Sequence, residues 1–138
     1  MAYWILRSEP DVYGWDDLVR DSVTEWDGVR NYTARNFLKA MAPGDLALFY
    51  HSNTEKAAIG VMEITRAWKA DGDPEAKGGA QWASVRVEPR RKLERPVTLT
   101  AIKAEPRLSS LEMLRQSRLS VTPVSEAEWQ VLMEMGGL

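Results

Sequence analysis

The chain has 138 residues, a formal net charge of −2, one histidine and no cysteine. This length predicts a single domain, residues 1–138, that buries roughly two-thirds of its unfolded surface. The lack of cysteine excludes disulfides, thiol catalysis and thiolate metal sites, and it is typical of a cytoplasmic protein. One histidine excludes a polyhistidine site. A site for magnesium built from carboxylates alone is not excluded, but no ligand spacing indicates one, so we expect no metal and no other cofactor. No apolar run approaches the roughly 20 residues of a membrane span, and we expect no membrane partner.

The N-terminal part of the chain predicts one strand and two helices. Residues 3–8 are rich in aromatic and branched side chains, which favours a strand. A short helix is predicted around Trp15–Arg20. The sequence Trp26-Asp27-Gly28 has turn chemistry, because glycine reaches positive φ at little cost. A second helix is predicted over residues 32–41, with Asn31 as its N-cap.

The middle of the chain predicts three further strands. A turn at Pro43-Gly44-Asp45 precedes an apolar strand over residues 45–51. The next strand is predicted over residues 57–68, where Gly60 indicates a bulge or a close backbone approach. Residues 82–93 alternate as an antiparallel strand with one solvated face would.

The remaining predicted elements are short. They are a polar loop at residues 69–80, a helical turn after Pro96, a helix over 109–116, a strand over 118–121 that Pro123 stops, and a last helix opened by the capping box Ser125-Glu126-Ala127-Glu128. Four or five strands with short helices between them predict a mixed α+β fold with a small curled sheet.

Basic residues are concentrated in two places, although the net charge of −2 argues against indiscriminate coating of nucleic acid. Between Gly28 and Lys39 there are three basic residues and no acidic one. A helix N-terminus with nearby arginines favours anions, since free N–H groups and the helix dipole both attract negative charge. The predicted phosphate contacts are Arg30, Arg35, Lys39, Arg90, Arg91 and Lys92. A solvated basic surface explains both clusters equally well.

Four stretches of the sequence resemble one known family. Residues 26–38, Trp-Asp-Gly-Val-Arg-Asn-Tyr-Thr-Ala-Arg-Asn-Phe-Leu, are similar to the signature of the EVE domain, a branch of the PUA-like superfamily and a relative of the YTH domain. Further matches are Tyr3-Trp4 through Ser8-Glu9-Pro10, Phe49 through Ser52, and Leu119 through Val124. The resemblance implies a PUA-like curled β-barrel of about five or six strands with short flanking helices. It also implies a reader of modified bases, chiefly methylated or oxidised cytosine in DNA, with the base taken out of the stack.

The same resemblance implies a binding pocket built from the four stretches. Its lining would be Ser8, Glu9, Pro10, Trp26, Val29, Arg30, Asn31, Tyr50, His51, Ser52, Leu119, Ser120 and Val121. A flat base needs aromatic faces to stack on and fixed donors and acceptors to read its edge, and these residue types provide both. Two positions depart from the family, since Thr33 and Thr122 stand where glutamine is common.

The sequence therefore predicts a non-enzymatic module whose partner is nucleic acid with a modified base, DNA being favoured over RNA. An RNA-binding domain is the first alternative. A small hydrolase built around His51, or a protein that binds a metabolite in the same pocket, is the alternative of another class. Hydrolysis is not favoured, because His51 and Ser52 are adjacent on a strand and point to opposite faces. The sequence also lacks a nucleophile elbow, a phosphate loop and a dinucleotide fingerprint.

Overall fold

The computed structural model describes residues 1–53, 55–71 and 82–138, and most of the loop predicted at residues 69–80 lies outside these ranges. The described residues form six strands and five short helices, which confirms the mixed α+β class. In chain order they are β1 (Tyr3–Ser8), α1 (Trp15–Asp21), β2 (Thr24–Trp26), α2 (Tyr32–Ala40), β3 (Leu46–His51), β4 (Ala57–Ala70), β5 (Ala83–Thr98), α3 (Leu99–Ala104), α4 (Glu112–Arg115), β6 (Val121–Val124) and α5 (Glu126–Met135). None of the helices in these ranges has the length and apolar character that crossing a membrane requires.

The described strands form one sheet in the order β2-β5-β4-β3-β1-β6. β1 and β3 are parallel, and the other neighbours are antiparallel. The sheet curls around α2, because this helix contacts β6 at one edge and also β4 and β5 towards the other edge. Repeated register shifts between β4 and β5 provide the bend. This arrangement matches the curled sheet that the sequence predicts.

Alternation along the strands divides the buried residues into two clusters. On β1, Trp4 and Leu6 belong to one cluster and Ile5 to the other. On β3, Phe49 belongs to the first cluster and Tyr50 to the second. The first cluster, which we call the inner core, includes buried residues of α1 and α2, whereas the second, the outer core, includes those of α3, α4 and α5.

A buried carboxylate, Asp45, joins the N-terminus to the turn before β3. It accepts hydrogen bonds from the backbone N–H of Ala2 at 3.0 Å, the indole N–H of Trp4 at 3.1 Å and the backbone N–H of Ala42 at 3.0 Å. Gly44 beside it has φ +97°, which confirms the predicted turn and explains the glycine. Because the carboxylate satisfies three donors, its burial is compensated.

The two predicted helix caps are present. Asn31 Oδ1 accepts a hydrogen bond from the backbone N–H of Ala34 at 3.0 Å and begins α2. Ser125 and Glu128 form the capping box of α5, with each side chain bonded to the other residue's backbone N–H. Local sequence therefore determines where both helices start.

Three sequence expectations are corrected by the sheet. Trp26 ends the short strand β2, which the sequence analysis missed, rather than beginning a turn. Pro123 lies inside β6, which is an edge strand, so its missing N–H breaks no ladder on the open side. β5 continues through Pro96 to Thr98 for a similar reason, because β2 pairs only with Val85–Val87 and leaves the rest of that edge free. The helix predicted over residues 109–116 contracts to α4.

Candidate functional site

A cleft of about 900 Å³, here called the main cleft, lies along the free edge of β2. Clefts that hold small ligands typically measure about 300–1,000 Å³. Its walls combine guanidinium groups, carboxylates, hydroxyls and aromatic rings from Arg7, Ser8, Val12, Tyr13, Val23, Thr24, Glu25, Trp26, Asp27, Gly28, Val29, Arg30, Arg86 and Ser120. A planar ligand could therefore find both apolar walls and charged donors and acceptors here.

A smaller depression of about 260 Å³, the minor cleft, adjoins the main cleft. Arg7 and Ser120 line both clefts. The predicted pocket residues are shared between the two: Ser8, Trp26, Val29, Arg30 and Ser120 line the main cleft, and Glu9, Ser52, Leu119 and Ser120 line the minor cleft. Residues from all four sequence stretches of the family resemblance thus line the two clefts. The stretch from Phe49 to Ser52 contributes Ser52 alone.

Five predicted pocket residues line neither cleft, and they are Pro10, Asn31, Tyr50, His51 and Val121. Tyr50 is 1% exposed and fills the outer core, and Val121 is fully buried in the inner core. Asn31 is occupied as the cap of α2. Thr33 and Thr122, which stand where the family often has glutamine, are also outside both clefts. Eight of the thirteen predicted pocket residues thus line the two clefts, and the binding role of all thirteen stays a prediction.

His51 holds the start of α1. Its Nε2 accepts a hydrogen bond from the backbone N–H of Trp15 at 3.0 Å, and its Nδ1 lies 2.9 Å from Glu55 Oε2. Because the Trp15 group can only donate, Nδ1 must carry the ring hydrogen. The ring also packs edge-on against Phe49. Neither nitrogen faces a serine, so the geometry gives no support to a hydrolase built around His51.

Trp26 reaches the main cleft but is mainly a core residue. It is 8% exposed, and its ring packs edge-on against Phe49 with the ring centres 5.3 Å apart. The sequence predicts that Trp26 lies in a loop, but its place at the end of β2 directs the side chain into the inner core. The indole therefore offers a ligand an edge at the cleft wall rather than an open face.

Arg7 is a cleft residue that the sequence analysis missed. Its Nη1 donates to the carbonyl oxygens of Ser117 and, at 3.3 Å, of Leu119, and its guanidinium lies 5.6 Å from the centre of the Tyr50 ring. Its backbone N–H also donates to Ser120 O at 2.8 Å. Arg7 thus fixes the chain segment that separates the two clefts. The signal in the sequence that could have indicated Arg7 was a single cation near the end of an otherwise apolar strand.

Arg30 is held in place by Asp71. The Asp71 carboxylate accepts hydrogen bonds from Arg30 Nη1 at 2.9 Å and from the backbone N–H of Gly28 at 3.0 Å. Burial raises the pKa of Asp71, but these two donors outweigh burial and lower the pKa overall. Gly28 has φ +74°, a conformation that favours glycine. The signature segment of the sequence is therefore anchored to the end of β4.

Glu25 sits among three cations at the edge of the main cleft. Its Oε1 is paired with Arg66 and lies 3.7 Å from Lys69 and 3.8 Å from Arg86. The hydrogen bond from Arg66 is the main cause of the lowered pKa of Glu25. One carboxylate among three cations leaves this wall positive. Within residues 1–53, 55–71 and 82–138, no group of three or more acidic or histidine side chains is placed to hold a metal.

Tyr13 supplies a second aromatic side chain to the main cleft and was also missed. Its carbonyl oxygen accepts a hydrogen bond from Ser8 Oγ at 2.6 Å, and its hydroxyl donates to Asp21 Oδ2 at 2.9 Å. Burial raises the pKa of the Tyr13 hydroxyl, so it stays a hydrogen-bond donor. Ser8 is thereby bonded to the loop that carries Tyr13, and both belong to one wall.

The predicted phosphate-binding residues divide into three groups. Arg30 lines the main cleft, whereas Arg35 and Lys39 lie on the outer side of α2. Arg90 is paired with Glu63 at 3.1 Å and with Glu88 at 3.7 Å. Arg91 and Lys92 are exposed on β5 and line neither cleft. A phosphate role for all six residues stays a prediction.

The sequence profile of the EVE domain matches residues 2–135. The chain belongs to the EVE domain family. Human thymocyte nuclear protein 1 is 30% identical to this EVE domain over 97% of the chain and 73% of the human protein. The predicted family is confirmed, whereas the predicted cytoplasmic location stays a prediction.

Solved structures extend the comparison. Rpa0253 from Rhodopseudomonas palustris is 41% identical, with a TM-score of 0.90 over 99% of this chain and 94% of that one. Human thymocyte nuclear protein 1, solved in complex with DNA containing 5-methylcytosine, is 30% identical, with a TM-score of 0.92 over 100% and 99%. The YTH domain of Zygosaccharomyces rouxii MRB1 has a TM-score of 0.62 over 98% and 86% at 13% identity, which shows a shared fold alone.

Proposed function

We propose that the main cleft binds a base turned out of a nucleic-acid strand, and that 5-methylcytosine in DNA is the preferred ligand. One observation carries the proposal: the signature residues Trp26 to Arg30 line a cleft of about 900 Å³, in a fold shared with a human protein that was solved with 5-methylcytosine-containing DNA. That human chain matches this one along its whole length.

The chemistry of the cleft walls supports a pyrimidine ligand. Cytosine presents an exocyclic amine that donates and a ring nitrogen and a carbonyl oxygen that accept. Carboxylates are suitable acceptors for the amine, and Asp27 presents an exposed one at the cleft. Arg7 and Arg30 provide guanidinium donors for the accepting atoms. Tyr13, Val12 and Val29 provide apolar surface for the ring and its methyl group.

The cations around the cleft support a ligand that is part of a strand. Arg30 and Arg86 line the cleft, and Arg66 and Lys69 share Glu25 with Arg86. A flipped base leaves its own phosphates at the mouth of a pocket, where such cations neutralise them. Extrusion from a duplex costs a few kcal/mol, so an unpaired base is bound more easily than a paired one.

We propose binding rather than catalysis as the function. His51 was the residue on which a hydrolase could be based, but its Nε2, the nitrogen that would take the proton of a nucleophile, accepts a hydrogen bond from the backbone N–H of Trp15 instead. The main cleft itself places guanidinium groups and carboxylates along its walls, as a recognition site for a polar flat ligand requires.

The proposal is tested with one labelled strand that carries either cytosine or 5-methylcytosine at a single position. The strand is titrated as single-stranded DNA, as a mismatched duplex, as a perfect duplex and as RNA. We expect the methylated base to bind more tightly by about 5- to 150-fold, because one methyl group in an apolar slot contributes about 1–3 kcal/mol. We expect the perfect duplex to bind most weakly of the DNA forms.

Matched variants locate the site in the same titration. Arg30→Ala removes a guanidinium from the main cleft, whereas Arg107→Ala removes one that is paired with Glu105 and Glu134 outside it. We expect only Arg30→Ala to weaken binding. Equal affinity for methylated and unmethylated strands would reduce the function to nonspecific binding, and tighter binding of the RNA strand would favour the RNA alternative.

A further inference from the structure

Outside the main cleft, the exposed side of α2 carries one aromatic ring and two cations. Tyr32, Arg35 and Lys39 are spaced i, i+3 and i+7, so they form one stripe along the helix. Tyr32 is 60% exposed. Trp68, near the end of β4, is 41% exposed and faces the same stripe through Lys39. Large rings at this exposure contribute little to either core.

The cations of this stripe lie directly over aromatic rings. Arg35 is 4.9 Å from the centre of the Tyr32 ring, and Lys39 Nζ is 4.5 Å from the centre of the Trp68 ring. Each pair therefore combines a positive charge with a flat apolar face at the surface. Cations held against rings in this way remain available to an anion on their open side.

The stripe continues into the main cleft through Trp82, which precedes β5. Trp82 stacks on Tyr32 with ring centres 5.1 Å apart and an angle of 21° between the planes. Arg30, which lines the main cleft, places its guanidinium 5.4 Å from the centre of the Trp82 ring. A continuous surface thus runs from the cleft wall along the outer side of α2. We call these six residues the outer aromatic surface: Arg30, Tyr32, Arg35, Lys39, Trp68 and Trp82.

We propose that the outer aromatic surface binds the nucleotides that flank the flipped base, with their bases stacked on the exposed rings and their phosphates on the cations. This inference rests on the proposed function of the main cleft. Charge supports a nucleic-acid strand as the occupant, because the surface carries three cations and only Arg30 among them is paired with a carboxylate within the described ranges. Rows of aromatic rings beside basic groups are how proteins hold single strands without reading their sequence.

Because the outer aromatic surface is continuous with the main cleft, it also indicates the path that a bound strand would follow. A base in the main cleft would have its sugar and phosphates at the solvent side of the cleft, and Arg30 lines the cleft with a side chain that is 46% exposed. The next group along the surface from Arg30 is the stacked pair Trp82 and Tyr32, and Arg35 follows on Tyr32. A flanking nucleotide therefore meets a ring and a cation in turn as it leaves the cleft.

The test compares two ligands that share the modified base. One is the free nucleoside 5-methyl-2′-deoxycytidine, and the other is a single DNA strand of about twelve nucleotides with 5-methylcytosine at its centre, a length within the roughly 4–16 nucleotides that single-strand sites cover. Calorimetric titration measures both for the wild-type protein, Tyr32→Ala and Trp68→Ala. Lys103→Ala, on the exposed side of α3, is the control. Thermal unfolding of each variant is recorded in parallel.

We expect Tyr32→Ala and Trp68→Ala each to weaken binding of the strand by about 5- to 150-fold and to leave binding of the nucleoside unchanged. Lys103→Ala should change neither. Unchanged strand affinity in both variants would overturn the inference. This holds also if the variants are less stable to heat, because the rings would then only pack α2 against the sheet. The same strand with cytosine at its centre is titrated as well, to separate this inference from the proposed function. Equal binding of the cytosine and 5-methylcytosine strands to the wild type, with weaker binding of both in the variants, would support this surface and overturn the modified-base function.

Discussion

The indole of Trp15 lies directly over Gly60. A Cβ atom at position 60 would come within 2.5–2.6 Å of three atoms of the indole's six-membered ring. Trp15 is the first residue of α1, and Gly60 lies where the pairing of β4 with β5 shifts register. The glycine therefore lets α1 approach the curled sheet, and α1 in turn forms a wall behind the loop that carries Tyr13.

Gly60→Ala should destabilise the fold by about 1–3 kcal/mol, because overpacking forces the neighbouring ring or the backbone to move. Urea unfolding measures this loss. The phenyl ring of a Trp15→Phe variant lacks the outer atoms that meet position 60, so the alanine should cost less in that background. An equal loss in both backgrounds would show that the effect of Gly60→Ala does not arise from Trp15.

Trp26→Ala should destabilise the protein by about 3–5 kcal/mol, because the side chain is buried in the inner core. Leu132→Ala, in the outer core, should cost about 2–5 kcal/mol, and Val19→Ala, on the exposed side of α1, less than about 0.5 kcal/mol. Urea unfolding compares the three variants. A Trp26→Ala protein as stable as Val19→Ala would restore the sequence-based interpretation of Trp26 as a loop residue.

Local patterns predicted most of the fold. The caps at Asn31 and Ser125, the turn at Gly44 and the close approach at Gly60 were all read from short sequences, because each depends on neighbouring residues or on one backbone conformation. The short strand β2 was missed because three residues give no periodic signal, and its pairing partner lies about sixty residues later. Pro123 and Pro96 were misread because sequence does not show which strand edges are free.

The lining of the clefts was predicted less completely than the fold. The family resemblance indicated segments that line the two clefts, but alternation on β3 sends Tyr50 into the outer core and leaves His51 beside α1. Side-chain direction at the end of a curled strand depends on register shifts, such as the one between Phe49 and Tyr50, which a single sequence does not reveal. Arg7 was missed because the carbonyl oxygens that its guanidinium binds lie more than 100 residues away.

Acid should weaken the cluster around Glu25. The pKa of Glu25 is lowered in the folded protein, chiefly by Arg66, so its contribution to stability is present above the unfolded pKa and is lost as the pH falls through the folded pKa. The stability advantage of the wild type over Glu25→Gln should therefore shrink as the pH falls below about 4. Urea unfolding at a series of pH values measures this difference. A constant difference at every pH would contradict the role assigned to the carboxylate.

Binding of the DNA strand should weaken steeply with salt if cations of the cleft touch phosphates. Each lost contact should reduce the slope of log affinity against log salt by about 0.7–0.9, measured between about 50 and 200 mM. We expect this reduction for Arg30→Ala and Arg86→Ala, which alter the main cleft. Arg91→Ala tests whether the second predicted basic cluster, which lines neither cleft, also contacts the strand. A slope unchanged by all three substitutions would exclude them as phosphate contacts.

The main cleft is proposed to recognise both the methyl group and the exocyclic amine of 5-methylcytosine. Thymine carries the same methyl group but has a carbonyl oxygen in place of the amine, so a single strand with cytosine, 5-methylcytosine or thymine at one position separates the two features. Titration of the wild-type protein and of Asp27→Asn with the three strands measures how much the methyl group and the amine each contribute to binding. We expect 5-methylcytosine to bind most tightly to the wild type and its advantage over thymine to fall in Asp27→Asn. Equal binding of all three strands to the wild-type protein would contradict the proposed function.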